Sequence, residues 1–427
     1  MPGKLNGLLV VISLCLGTVL LTAPSADAAT FNVKAFGAKG DGVTDDQVAI
    51  QNALNAASSS PGSLVIFPVG NYLHSGELTG TSIGLQGVGA TLTATTGLQT
   101  LRLTGNKVSV SNLKFNTQVT NTDELTVFID SANGFTVHNL VINGNVGIKP
   151  ISSILVDNGT NGTVSGCDLF LNGSPSSAGI TVVDSSTVLV SQNLVTGAGT
   201  GVEAVSSSNI NCAANKTATG AGGIIGVGVT TMAVTNSLVT NLSSGAQGIT
   251  LVNSTNLTVS DNRIMGNNTV NVNSEGIESV GNTNVLIKAN NIQSCGILSV
   301  GDSAVQILGN SIFAAMTGVE CVGDANLYVQ VNQIANCQGS AIAAVGISQT
   351  LSISQNIMRD CGLTGAFMGG AAAVVFVDSP PATSIPITSN LYTGSVKNLS
   401  FFIDCTQASP PALLAGNKTN TLLPSTP

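Results

Sequence analysis

Between residues 180 and 361 the alternation of apolar and polar positions repeats with a long period. An apolar residue follows Gly, a Val lies three positions on, a polar turn and a second alternating stretch follow, and Asn, one residue and an aliphatic close the unit. The unit opens at Ile180, Val202, Ile224, Ile249, Ile277, Ile297, Val319 and Ile342, and closes at Asn193, Asn215, Asn236, Asn262, Asn290, Asn310, Asn332 and Asn356. Alternation of period two with β-branched residues, and no helical spacing, predicts strands. A period of 20 to 28 residues predicts a solenoid, because one coil cannot bury its apolar face alone and must stack on its neighbours. The leucine-rich alternative needs a Leu-x-x-Leu-x-Leu frame that this chain does not keep. Recurring Asn fits tight turns and, in rungs about 4.8 Å apart, a ladder of side-chain amides. Segments 128 to 142, 154 to 171 and 81 to 115 follow looser versions of the pattern. The fold class predicted is therefore all-β, a parallel β-helix of about eleven or twelve coils.

A stack of this kind needs caps for its open ends. Thr44-Asp45-Asp46-Gln47 reads as a capping box with Thr44 as N-cap, opening an amphipathic helix through Val48, Ile50, Ala53, Leu54 and Ala57. At the other end the Gly- and Ala-rich stretch from Gly362 to Ala373 and the Pro-rich tail after Ser409 break the period, with a last strand pair near Phe401 to Ile403.

Composition narrows the function classes. Charged residues make up 8% of the chain, Trp is absent, Gly numbers 49 and the net charge is −8. Clustered Lys and Arg for nucleic acid or an acidic membrane surface are missing. Lys4, the apolar run Leu8 to Leu21, and Ala26-Asp27-Ala28 have the layout of a secretory signal peptide. No later segment has about 20 uninterrupted apolar residues, so a secreted or extracytoplasmic protein without a membrane span is expected. The expected division is a signal peptide over 1–28, one β-helix domain over 29–408, and a tail over 409–427. Without Cys15 there remain Cys167, Cys212, Cys295, Cys321, Cys337, Cys361 and Cys405, an odd set lacking CxxC spacing. Cys337 and Cys361 fall five residues after their Asn in neighbouring coils, with Cys295 in the same column two coils earlier. They read as a buried thiol stack, the alternative being a disulfide.

The stretch Phe31 to Asp46, containing Phe36-Gly37-Ala38-Lys39-Gly40-Asp41-Gly42-Val43-Thr44-Asp45-Asp46, resembles the opening of the rhamnogalacturonase/epimerase-like domain of the pectate lyase superfamily. Ala49-Ile50-Gln51 and Val65-Ile66-Phe67-Pro68 with Gly70 and Tyr72 extend the likeness to residue 72. The resemblance implies a single-stranded right-handed β-helix and a carbohydrate context: polysaccharide lyases, glycoside hydrolases, epimerases, surface proteins or phage tailspikes. Polygalacturonase-like hydrolases carry Asn-x-Asp, Asp-Asp, Gly-His-Gly and Arg-x-Lys signatures in their central coils. Here Asp45-Asp46 is the one Asp-Asp pair, His74 and His138 sit in no such motif, and Arg-x-Lys is missing. That hydrolase is disfavoured. Asp41, Asp45 and Asp46 read as turn and cap residues.

Two acidic columns carry the candidate chemistry. Aligning coils on the Val that ends the first strand places Asp130, Asp157 and Asp184 together, as side-chain turns or as a carboxylate site for Ca²⁺. Glu203, Glu278 and Glu320 follow the first apolar position of their coils and face outward, with Leu298 between the last two. Glu278 and Glu320, about 10 Å apart across one coil, are the candidate general acid and base, or else solvated surface glutamates. A lyase also needs a base and a positive group, for which Arg263 and Lys288 are the catalytic candidates, with Tyr328 and Arg359 behind them. The expected function is a lyase or epimerase on an anionic cell-wall or extracellular polysaccharide. The alternative is a non-catalytic surface, adhesive or structural β-helix that binds polysaccharide.

Overall fold

The computed structural model describes residues 28–95, 101–117, 125–144, 152–171, 177–242, 245–266, 275–362, 373–378, 385–394, 401–404 and 413–419. The expected signal peptide lies outside these residues, apart from its last position, as does most of the Gly- and Ala-rich stretch expected to close the stack.

A single coil shows how the chain is wound. Ala178–Val183 forms a strand of the first sheet, Ser186–Ser191 one of the second, and Leu194–Thr196 one of the third. Each strand pairs in parallel with its counterpart in the next coil, as Ile180 does with Val202, Val190 with Cys212 and Val195 with Thr217. All the opening residues named above share one register, from Ile180 through Ile342 and on to Val375. The result is a parallel β-helix, as the repeat predicts, of about twelve turns.

Period two along each strand sends alternate side chains inward. Ile180, Val182, Val188, Val190 and Val195 are at most 1% exposed, and each such burial contributes roughly 1.5–3 kcal/mol against exposure. Glycine has a separate task. A Cβ on Gly201, Gly223 or Gly248 would lie 2.3–2.7 Å from a core side chain and 2.4–2.5 Å from the carbonyl oxygen of the glycine one coil on. The corner ahead of the first sheet is too close to its neighbours for any side chain, which explains the Gly that precedes the apolar opener.

Two-residue turns join the strands. The first residue is left-handed, as at Asp184 and Gln192 (φ 46° and 58°), and the second turns inward. At the second turn Asn193 donates Nδ2–H to Asn215 Oδ1 at 3.0 Å, and its backbone N–H donates to the same oxygen at 3.1 Å. The same arrangement links Asn262, Asn290, Asn310, Asn332, Asn356 and Asn390, and ends on Asn417. Asn236 is not part of it. It holds the left-handed slot (φ 51°), and Ser237 takes the ladder position, accepting Asn215 N–H at 3.2 Å and donating its N–H to Asn262 Oδ1 at 2.9 Å. Strands Leu413–Ala415 and Lys418–Thr419 pair onto the preceding coil, so the solenoid continues past residue 409.

The first turn carries a second ladder that the sequence reading lacks. Ser185, Ser207, Ser254, Asn282, Asp302 and Asp324 occupy its inward slot, each at most 3% exposed. The N–H of Asn282 donates to Asp302 Oδ1 at 2.5 Å and that of Asp302 to Asp324 Oδ1 at 2.8 Å.

The helix Gln47–Ser58 covers the N-terminal end, burying Ile50, Ala53, Leu54 and Ala57 while Val48 is 71% exposed. Its N-cap is Asp46, not Thr44. Gln47 is spent on Gly76 N–H and Glu77 O instead of closing a capping box. Asp46 is in turn committed to the N–H groups of Lys39 and Gly40 (2.6 and 2.9 Å), and Asp45 accepts Gln47 N–H at 3.0 Å. Asp41 accepts from Val43 and Thr44, whose N–H groups hold its carboxyl down at about 2. These three aspartates are turn and cap residues. Gly40 (φ 63°) lies under the Tyr72 ring, where a Cβ would come within 2.8 Å, so the Gly and the Tyr of the opening stretch are one packing unit.

Candidate functional site

The outward face of the first sheet carries one row of side chains along the axis. Arg102, Phe128, Leu155, Thr181, Glu203 and Ile225 form its first half by strand register. Thr250, Glu278, Leu298, Glu320, Ala343 and Phe376 form its second. The glutamates thus share the column expected of them, with one coil between Glu278 and Glu320 and two between Glu203 and Glu278.

This face is partly withdrawn from water. Thr181 is 7% exposed and Phe128 and Phe376 are 9%, although all three point away from the core. Burial raises the carboxyl pKa of Glu203, Glu278 and Glu320, and a hydrogen bond from Thr250 partly offsets this at Glu278. Glu275, at the start of the same strand as Glu278, was missed by sequence reading. Its pKa is raised by burial and then by the charges of Glu278 and Glu320, so three carboxyls form one cluster. The spacing Glu275-Gly276-Ile277-Glu278 was the available clue, obscured because the register shifts between Glu275 and Ile277.

The structure separates the other catalytic candidates from this cluster. Arg263 opens the third-sheet strand Arg263–Gly266 and Lys288 closes the second-sheet strand Thr283–Lys288, both exposed. Arg359 ends a third-sheet strand and pairs with Asp360 at 3.1 Å. Tyr328 lies on the second sheet. Similar depth in the repeat does not bring residues together when they occupy different strands of the coil.

The aspartate column is also revised. Asp130 pairs with Asp157, but Asp157 pairs with Val183, and Asp184 sits one position later in the left-handed turn slot. The doublet Val182-Val183 hid this, since Val182 is the inward residue. Asp130 is engaged by the Arg102 guanidinium, whose Nε donates at 3.0 Å and which lies 5.3 Å over the Phe128 ring. That contact and Ser131 hold Asp130 below the usual carboxylate range against its burial. Asp157 is raised by burial and then by Asp130 and Asp184. Among the described residues no three His, Cys, Asp or Glu side chains are grouped so as to hold a metal ion. Cys295, Cys337 and Cys361 share the expected column, and the six described cysteines are buried free thiols.

Family models match nearly the whole described chain. One, "Rhamnogalacturonase A/epimerase, pectate lyase-like", covers residues 30–225, and "Right handed beta helix region" covers 152–312 and 223–406. The chain belongs to the pectate lyase-like right-handed β-helix proteins. Among β-helix relatives, mannuronan C5-epimerase AlgE6 of Azotobacter vinelandii is 57% identical over 42 residues, 10% of this chain and 5% of that protein. The chain therefore matches about a twentieth of that relative's length. Two solved β-helices share the fold. PfbA, a surface adhesin of Streptococcus pneumoniae, is 15% identical with a TM-score of 0.59, covering 74% of this chain and 92% of that one. The Dettilon tailspike protein is 14% identical with a TM-score of 0.54, covering 78% and 67%. No described helix of this β-helix is long and apolar enough to cross a membrane.

Proposed function

We propose that this β-helix is a secreted protein that holds an extended polysaccharide along the outward row of its first sheet, by binding and without turnover. The observation that carries this reading is the carboxyl cluster of Glu275, Glu278 and Glu320, raised by burial, with the basic candidates Arg263 and Lys288 on other sheets of the coil. A lyase or epimerase must stabilise charge developing next to a carboxylate, and three carboxylates oppose that. The same groups, when protonated, donate hydrogen bonds to sugar hydroxyls and carboxylates. Local identity to a mannuronan C5-epimerase supports the carbohydrate context; likeness to the adhesin and the tailspike supports the fold alone.

The test is affinity electrophoresis through alginate, polygalacturonate and neutral polymers at pH 5 and pH 8, with and without Ca²⁺, alongside assays for unsaturated products and reducing ends. Uronate polymers should be held more strongly at pH 5 than at pH 8, because burial favours the neutral form of these carboxyls, and Glu275→Gln/Glu278→Gln/Glu320→Gln should remove the pH dependence. Release of unsaturated product would sink the reading.

A second reading has one observation in its favour. Glu278 and Glu320 flank a single coil, about 10 Å apart along the axis, near the 6.5–9.5 Å that roughly separates inverting glycosidase carboxyls. New reducing ends lost in Glu278→Gln would support it.

A further inference from the structure

The second sheet has a groove that the first-sheet reading does not use. In seven consecutive coils, from Thr160–Ser165 to Ser303–Leu308, the second residue of the second-sheet strand drops out of the strand pairing and adopts a left-handed backbone. Asn161, Asn209, Asn256 and Asn284 tolerate this conformation, but Thr187 (φ 55°) and Thr231 (φ 66°) are β-branched and strained there. Each strand bends at the same point, and stacking the bends makes a trough parallel to the axis, about 29 Å long at about 4.8 Å per coil.

Two hollows mark it, of about 380 Å³ and about 360 Å³. The first is lined by Asn161, Thr163, Leu189, Asn209 and Asn211, the second by Asn256, Thr258, Asn284, Leu286 and Gln306. The coil between them presents Thr231 at the bend and Ala233, which pairs with Asn211 on one side and Thr258 on the other, so no large side chain divides the trough. Beyond Gln306 the next residue of the same row is Tyr328, 36% exposed.

The lining fits one kind of occupant. It carries amides, hydroxyls and the aliphatic side chains of Val188, Leu189, Leu257, Val285 and Leu286, and no charged side chain; Lys288, two residues past Leu286, is the one charge on these seven strands. Amides that both donate and accept suit vicinal sugar hydroxyls, and a half-exposed tyrosine suits the apolar face of a sugar ring. A polyanion finds a single cation here on a chain of net charge −8, and a protein partner finds no broad apolar patch. We infer that this trough binds a linear, uncharged polysaccharide running along the solenoid axis from the coil of Asn161 to Tyr328. The site is separate from the first-sheet row and does not depend on what that row does.

The test uses the full chain in native gels cast with galactomannan, xyloglucan or mixed-linkage β-glucan, with alginate as the charged counterpart. At least one neutral polymer should retard the protein. Ala233→Trp, which places a bulky ring on an outward position in mid-trough, and Tyr328→Ala should each weaken that retardation at least tenfold. Lys216→Trp, an exposed third-sheet position, should leave it unchanged, and matching melting temperatures show that the variants fold. The inference is overturned if no neutral polymer retards the protein, if Ala233→Trp and Tyr328→Ala migrate like the parent, or if Lys216→Trp weakens retention equally.

Discussion

Asp302 donates its backbone N–H to the Asp324 carboxylate at 2.8 Å, and both side chains lie in the core, 1% and 0% exposed. Ser299 satisfies Asp302 Oδ2 at 2.9 Å, whereas Asp324 Oδ2 has no partner and lies against the Cys321 thiol. Burial, with the nearby Asp302 charge, lifts Asp324 from 3.8 to about 7 and raises Asp302 as well.

A carboxyl whose pKa is higher folded than unfolded stabilises the fold fully below its unfolded value and loses that contribution as pH rises through the folded one. Stability should therefore fall between pH 4 and pH 7, by at most about 4 kcal/mol from Asp324 at roughly 1.4 kcal/mol per pH unit. Asp324→Asn should flatten this part of the profile and be more stable than the parent at pH 8, since Asn282 fills the same slot two coils earlier. Urea denaturation at pH 4.5 and 8 measures it, and a variant less stable at pH 8 would refute the account.

The amide ladder makes a sharper distinction than the letters do. Asn290 accepts twice from Asn262 at 3.0 Å and donates to Val259 O and Asn310 Oδ1 at 2.9 Å. Asn290→Ala should cost about 3 kcal/mol or more, because buried partners are left unpaired. Asn236→Gly, in an exposed left-handed slot, should change stability by no more than about 0.5 kcal/mol. Equal effects in chemical denaturation would remove the ladder argument.

Steric room at the coil corner is testable with one methyl group. Gly223→Ala places a Cβ 2.4 Å from Gly248 O and from Val239 Cγ1, which should cost about 3 kcal/mol. Gly220→Ala, with nothing within 4 Å, should be neutral or slightly stabilising. The pair of melting temperatures decides the point.

Calcium distinguishes the two readings of the aspartates. Asp130 is committed to Arg102 and Asp184 is offset by one residue, so Ca²⁺ at millimolar concentration should leave the melting temperature unchanged. Asp157→Asn should raise it at neutral pH, because burial first and then the charges of Asp130 and Asp184 oppose the Asp157 carboxylate. A Ca²⁺-dependent rise abolished by Asp157→Asn would restore the metal site.

The sequence by itself determined the solenoid, the shared register of its coils from Ile180 to Ile342, the glycine at the corner and the outward column of Glu203, Glu278 and Glu320. These are set by alternation along a strand, which the order of residues displays directly. Tertiary structure decided every matter that turned on a two-residue turn or on the side of the solenoid. Asn236-Ser237 and Val183-Asp184 can each be slid by one residue without offending the pattern, and only stacking against Asn215 and Asp157 selects the slot. Nothing in the order of residues marks Asp302 and Asp324 as buried; the coils closing over them do that. Arg263 and Lys288 read as candidate basic groups in the same coils as Glu278, yet a coil turns through three faces, and residues 10 to 15 positions apart in the chain point in different directions. Distances that matter for chemistry here run along the axis, between residues 20 or more apart, and packing sets them.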